Sequence, residues 1–380
     1  MSQTSFTEAA GNYQARLREH ADSHEAKGVV DTDLFKDLRS AGLLNLVTPK
    51  LYGGQEVSFS TLSEVISTLA GGCMSTAWVS AVGNVHNWMA TGFSASAQDE
   101  YFADPDVFSS ASFAPTGRAT MQSDGLIANG TWSFLSGVDH AQWVFLCGLV
   151  TESVDGRPTG PWFMMIPKDE VVVDDDSWHV VGMAGTGSKD VTLKNVFVPI
   201  HRAAHLPSLM INEGPGHGIH HGDLFRSPFH AALVAILASP IYGTGLGALE
   251  QFRAYTEQRV NKMTGAKQSE QAASQLIVAE CAAAIDAAGL VLERNFKVID
   301  TARPITAAEA VRIPRDTAYC VRLVTNATNT MMSNAGGNSA KLSNPLQRAW
   351  RDIQTAANHA ALSWPNSAQA WGQFALKPQA

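Results

Sequence analysis

The stretch DGLIANGTWSFLSG, residues 124–137, decides the fold class. Aromatic and β-branched residues alternate in it with small polar ones, the period of a half-buried strand. Its Asn129-Gly130 pair is a two-residue hairpin signal between strand-like runs. Similar short runs follow at 143–150 (WVFLCGLV), 160–167 (GPWFMMIP), 170–175 (EVVVDD) and 190–199 (DVTLKNVFVP). Strands in succession without helices between them predict an antiparallel sheet or barrel, not parallel βαβ units. This β zone spans residues 113–210.

Outward on both sides the period changes to helical. Residues 1–112 include DTDLFKDLRSAGLLNL (31–46), with apolar positions at helical spacing, Asp31 or Thr32 as cap and Gly42 near the end. TPKLYGG (48–54) breaks the pattern as a turn, and the apolar helical stretch 60–90 follows. Residues 211–380 are helical and Ala-rich, as in SQLIVAECAAAIDAAGLVLERNFKVI (274–299), whose small-residue face suits tight helix packing. NAGGNSAKLSNP (334–345) reads as a loop, and RAWRDIQTAANHAALSW (348–364) as a final amphipathic helix. The expected class is mainly α with a central β domain: a helical domain (1–112), a β domain (113–210) and a helical bundle (211–380).

Bulk composition excludes several functions. Of 380 residues, 45% are hydrophobic and 16% charged, a balance that fits surface buried between subunits. A net charge of -8 provides no basic field for nucleic acid or an anionic membrane. Cys73, Cys147, Cys281 and Cys320 are far apart without a CxxC pair, so buried reduced thiols are expected rather than disulfides or zinc. The polar first residues resemble no signal segment, and the apolar run 230–242, interrupted by Ser239 and Pro240, reads as too short to span a bilayer. A cytoplasmic, soluble protein is the expectation.

The order helical, β, helical resembles the acyl-CoA dehydrogenase superfamily, in which flavin lies between a helical domain, a small β domain and a four-helix bundle. LRSAGLLNLVTPKLYGG (38–54), NGTWSFLSG (129–137), GTGSKDVTLKNVFVPIHR (185–202) and AYTEQRV (254–260) are similar to its segments, so the likeness covers essentially the whole chain. The dehydrogenases need a carboxylate base. Their two usual places, 338–372 and 224–249, hold no glutamate here, and Asp352 is the one acid in them. The C-terminal pattern Arg348-x-x-Arg351-Asp352…His359 instead resembles the group D two-component flavin monooxygenases.

That resemblance implies specific roles. Trp78, His86, Ser112, Ser136 and His359 stand where the group surrounds flavin and substrate. Trp78, Ser112 and Ser136 would contact the flavin, with the Ser136 hydroxyl near its N5. His86, Ser112 and His359 would contact the substrate; the catalytic residues would be His359, which orients or deprotonates the substrate since an imidazole titrates near neutrality, and His86 and Ser136, which steady the flavin adduct. Arg259 would bind a flavin phosphate across a subunit boundary. Asp352 reads as an i,i+4 ion-pair partner of Arg348. The implied enzyme takes FADH2 or FMNH2 from a separate NAD(P)H-dependent reductase, since no Rossmann fingerprint is present. It reacts the flavin with O2 and uses a C4a-hydroperoxide to hydroxylate or epoxidise a small aromatic compound, a phenol or indole. A homotetramer, as a dimer of dimers, is implied as well.

Two rivals stand beside this reading: an acyl-CoA dehydrogenase or flavin oxidase with a displaced base, and a flavin-less scaffold of the same fold. Two local patterns compete less well. GTGLG (243–247) has GxGxG rather than GxGxxG spacing and suits close helix packing. HGIHHGD (217–223) is rich in ligand side chains but has no second cluster, so a loop over the site entrance is expected there and no metal.

Overall fold

The computed structural model describes residues 3–260 and 263–377. The N-terminal region packs α1 (Gln3–Lys27), α2 (Thr32–Ser40), α3 (Phe59–Ala70), α4 (Met74–Ala90) and α5 (Ala95–Tyr101). Asp31 caps α2 by accepting from the Asp33 and Leu34 amides, and Gly42 takes φ 73° just past its end. The apolar stretch 60–90 is two helices, broken at Gly71-Gly72. The second of them, α4, is buried along nearly its whole length and forms the axis on which the other layers pack.

Seven strands follow among the described residues: β1 (Ser109–Met121), β2 (Gly125–Leu135), β3 (Trp143–Val150), β4 (Gly160–Pro167), β5 (Val172–Asp174), β6 (Lys189–Pro199) and β7 (Ala203–His205). They form one sheet in the order β5-β6-β2-β1-β3-β4-β7. The sheet opens at Ser109, a little ahead of residue 113. All pairs are antiparallel except β1 with β3, which run parallel. Since β2 occupies one edge of β1 and takes β6 on its own far side, β3 enters at the remaining edge of β1 and in its direction.

The Asn129-Gly130 hairpin does not form. β2 continues through both residues, and the turn between β1 and β2 lies at Gln122–Gly125, where the Gln122 amide donates to the Gly125 carbonyl. The pair instead marks an irregular register of β2 against β6 between Ala128 and Gly130. Gly130 has φ 146°, and a Cβ there would stand 2.6 Å from the Gly117 Cα. Close approach of two strands under Trp132 overrides the turn chemistry. The Asn129 side chain accepts from the Asn195 amide, another positive-φ residue.

The C-terminal region comprises α6 (Leu206–Met210), α7 (Phe229–Ile236), α8 (Ala238–Gln258), α9 (Ala272–Ile299), α10 (Ala307–Asn334), α11 (Pro345–Ala356) and α12 (Trp364–Ala375). GTGLG lies inside α8, where a Cβ on Gly243 would come 2.0 Å from the Ser67 carbonyl oxygen of α3. Two helical runs, Phe229–Gln258 and Ala272–Ile299, are long and apolar enough to cross a membrane, which corrects the reading of 230–242 as too short. The most apolar 18-residue window of the first is 72% buried inside the protein, as a core helix is, whereas that of the second is only 22% buried. That second run, α9, presents Leu276 and Leu290 to the outside.

Candidate active site

The first pole of the site is α4, which holds Trp78 and His86 in the buried layer. The His86 Nδ1 lies 2.8 Å from the Ser109 carbonyl oxygen, which can only accept, so Nδ1 carries the proton and Nε2 keeps its lone pair. Burial pulls the His86 pKa down to about 4, against a weaker opposing effect of that carbonyl. Behind it, the Tyr101 hydroxyl bonds both the Ser109 hydroxyl and the Asn87 side chain at 2.7 Å, and Asn87 donates to Thr48. The orientation of His86 is thus fixed by buried polar partners that all have bonds of their own.

The second pole comes from the sheet. Ser112 on β1 donates to the Ser133 carbonyl at 3.1 Å, and Ser110 donates to the Ser136 carbonyl at 2.8 Å. Phe134 adopts φ 68°, which breaks the alternation between Trp132 and Leu135, and leaves its ring 68% exposed, edge-on to Trp178. Two residues on, the Ser136 hydroxyl accepts from the Trp78 indole at 3.1 Å and bonds Ser188 at 2.8 Å. Ser188 bonds Thr186 at 2.7 Å, and Thr186 donates to the Met183 carbonyl at 2.7 Å. Met183 holds φ 61° while its amide donates to the Asp352 carboxylate at 2.6 Å.

The third pole is the chain after α11. His359 does not lie on that helix, which stops at Ala356; it stands in the following turn, its ring 5.8 Å from that of Trp78. Its Nδ1 accepts from the Ala361 amide at 3.2 Å, so in the neutral ring the proton is on Nε2. The residue is exposed, yet the surrounding protein desolvates the ring enough to hold its pKa below the usual value. Asp352 is likewise not the ion-pair partner expected. It is 5% exposed, and burial raises its pKa to about 6. Arg348 pairs with Asp22 and Glu25 of α1, and Arg351 with Glu25 and the Val181 carbonyl.

Trp78, Ser136 and His359 are therefore brought together, with His86 and Ser112 joined to them through β1. Arg259 is not: at the end of α8, it donates to the Asn334 and Ala335 carbonyls. Thr186, Ser188 and Met183 were not singled out in the sequence, because a Gly-rich turn gives its hydroxyls no distinguishing signal, and Asp352 was read there only as an ion-pair partner and not as the acceptor of the Met183 amide. In the 217–223 loop, His220 bonds Gln98 at 2.7 Å, and Asp223 pairs with Arg226. Among the described residues no group of three His, Cys, Asp or Glu side chains gathers to hold a metal. That loop walls a cavity of about 40 Å³ against Trp88 and Phe229, which includes neither Ser136 nor His359. All four cysteines are free and buried.

The chemistry of these groups fits a reduced flavin. A planar ring system with a polar edge needs an open aromatic face and hydrogen-bonding groups beside it, and Phe134, Ser136 and Trp78 supply these. The acids beside this cluster among the described residues are engaged elsewhere, Asp352 with the Met183 amide and Asp139 with Lys189, so neither is presented as an α-proton base.

Helical domain, sheet and bundle with this cluster between them define a flavoenzyme of the acyl-CoA dehydrogenase fold. The chain matches the families described as acyl-CoA dehydrogenase, N-terminal domain, over residues 3–104, and acyl-CoA dehydrogenase, C-terminal domain, over residues 235–364. The oxygenase component of an FADH2-dependent resorcinol hydroxylase from Rhizobium sp. is 33% identical over 353 residues, covering 89% of this chain and 86% of that one. The crystal structure of the HsaA monooxygenase from M. tuberculosis superposes with a TM-score of 0.92 at 28% identity over 100% of both chains. XiaF from Streptomyces sp., in complex with FADH2 and glycerol, gives a TM-score of 0.92 at 30% identity over 100% of this chain and 97% of that one. The chain belongs to the oxygenase components of the two-component flavin-dependent monooxygenases, and is an oxidoreductase that works with reduced flavin.

Proposed function

We propose that this protein hydroxylates a small, uncharged aromatic compound bearing a ring O–H or N–H, a phenol or an indole. The observation that carries the reading is His86, a neutral imidazole whose Nε2 lone pair has no partner among the described residues and whose other nitrogen is tied to Ser109. Reduced flavin, when bound, supplies the electrons that activate O2 for transfer of one oxygen atom. The protein's own groups do the rest. His86 accepts the hydrogen bond of the substrate O–H or N–H, which raises electron density on the ring to be attacked. The acceptor role expected of His359 thereby passes to His86, and His359, with its proton on Nε2, serves as donor. Ser112 supports the substrate side; Ser136 and Trp78 hold the flavin edge. Phe145, with its ring 6.2 Å from His86, and Phe163 beyond it keep water away.

A separate NAD(P)H-dependent reductase delivers FADH2 or FMNH2, as two-component membership entails. Arg259 binds a flavin phosphate of a neighbouring subunit, in a homotetramer that covers the open apolar side of α9. The assembly works in the cytoplasm, with the three domains expected at 1–112, 113–210 and 211–380, the first boundary drawn back to Ser109, where the sheet opens, and the second to Leu206, where α6 begins. The test couples the protein to a flavin reductase under ¹⁸O2 with resorcinol and with indole. One labelled oxygen per product molecule is expected. Unlabelled product, or bleaching of oxidised flavin by an acyl-CoA without reductase, would turn the assignment back to a dehydrogenase.

A further inference from the structure

The hydroxyls behind Ser136 form a line whose proton directions are all determined. Thr186 has one hydroxyl proton, and the Met183 carbonyl, which can only accept, takes it. In the 2.7 Å contact between Thr186 and Ser188, Ser188 is therefore the donor. With its proton spent there, Ser188 must accept in its 2.8 Å contact with Ser136, so Ser136 donates to it. The Trp78 indole, a donor only, fills one lone pair of Ser136. Thr186 and Ser188 are 2% and 4% exposed, so no bulk water competes to reverse the line. Asp352 fixes its far end by holding the Met183 amide. Ser136, half-buried at the open end, has one lone pair left and no proton to give.

We propose that Thr186 and Ser188 are positioning residues that make Ser136 a pure acceptor, and that the site thereby selects reduced over oxidised flavin. The inference rests on the flavin reading above, with Ser136 at the flavin N5 edge. Reduced flavin has an N–H at that ring position and can donate to Ser136. Oxidised flavin has only a lone pair there and meets another lone pair. The selection matters for a chain that must exchange flavin with a reductase: it takes up the reduced form and lets the oxidised form go.

The experiment measures dissociation constants for oxidised FAD and FMN, and anaerobically for their dithionite-reduced forms. In Ser188→Ala the Ser136 proton is released and can turn to oxidised flavin. The preference for the reduced form should fall about tenfold, the worth of one hydrogen bond changing polarity. The midpoint potential of the bound flavin should fall by about 30 mV for that tenfold change. Thr186→Val frees the Ser188 proton to point at Ser136 and should act in the same direction, whereas Thr186→Ser should restore the wild-type ratio. If Ser188→Ala does not fold, the two Thr186 variants decide. An unchanged ratio in variants that still bind flavin overturns the role of the line and leaves the flavin reading standing. A wild-type protein that binds neither form overturns both.

Discussion

Replacing His86 with Gln tests the site where its physics is sharpest. In the unfolded chain a histidine titrates at its ordinary value, 6.5, while in the folded protein burial brings His86 down to about 4. Between those values the unfolded state binds a proton that the folded state refuses. Stability is therefore complete above pH 6.5 and is lost as the pH falls towards 4. A shift of this size corresponds to about 3 kcal/mol in total, most of it spent by about pH 4.5. Gln keeps an N–H for the Ser109 carbonyl but cannot be protonated. Urea unfolding of wild type and His86→Gln at fixed protein concentration, at about pH 7.5 and about pH 4.5, isolates this contribution. The wild type should lose about 2–3 kcal/mol more than the variant over that interval. His24, buried and also lowered to about 4, titrates equally in both proteins and cancels. If the variant loses as much stability as the wild type, His86 is not the buried neutral acceptor described, and the substrate contact built on it goes too.

Asp352→Asn should behave in the opposite sense. Its folded pKa, about 6, lies above the unfolded 3.8, so its contribution is present at low pH and is lost as the pH rises through 6. Asn keeps an acceptor for Met183, so the variant should gain up to about 3 kcal/mol at pH 8 and nothing at pH 4, and equal Tm shifts at both values would refute this. Gly243→Ala places a methyl 2.0 Å from the Ser67 carbonyl oxygen and should cost at least about 1–3 kcal/mol by prising α3 from α8, read as a drop in Tm. Phe134→Ala removes an exposed ring and should leave Tm within about 1 °C. It should still weaken flavin binding several-fold in a fluorescence titration; unchanged binding would remove Phe134 from the site.

The fold was legible because its two periods alternate in long blocks, and each of the quoted strand runs contains a strand. What could not be read was which edge of β1 would be free for β3, since edge choice depends on the packed sheet and not on any local pattern. Asn129-Gly130 misled for a related reason: a turn signal describes the chain in isolation, while Gly117 and Trp132 decide how close β2 must come. The site divides in the same way. Trp78, His86, Ser136 and His359 were reachable by resemblance, but the bonds that set their polarity were not. Ser188 reaches Ser136 across 52 residues and Asp352 reaches Met183 across 169, with nothing in either neighbourhood to advertise it. His359 was placed on a helix because apolar spacing continues past Ala356, although Asn358 turns back on the Gln354 carbonyl and the chain leaves the helix there.

The bond between Asp352 and Met183 also orders events during synthesis. Helices, sheet and hydroxyls emerge from the ribosome in sequence and pack as they come. The carboxylate that fixes the Met183 turn follows only after the bundle has been made, along with Arg348 and Arg351, which tie the same segment to Glu25 at the other end of the chain. A nascent or truncated chain ending before residue 352 has every hydroxyl of the line and nothing to hold its far end.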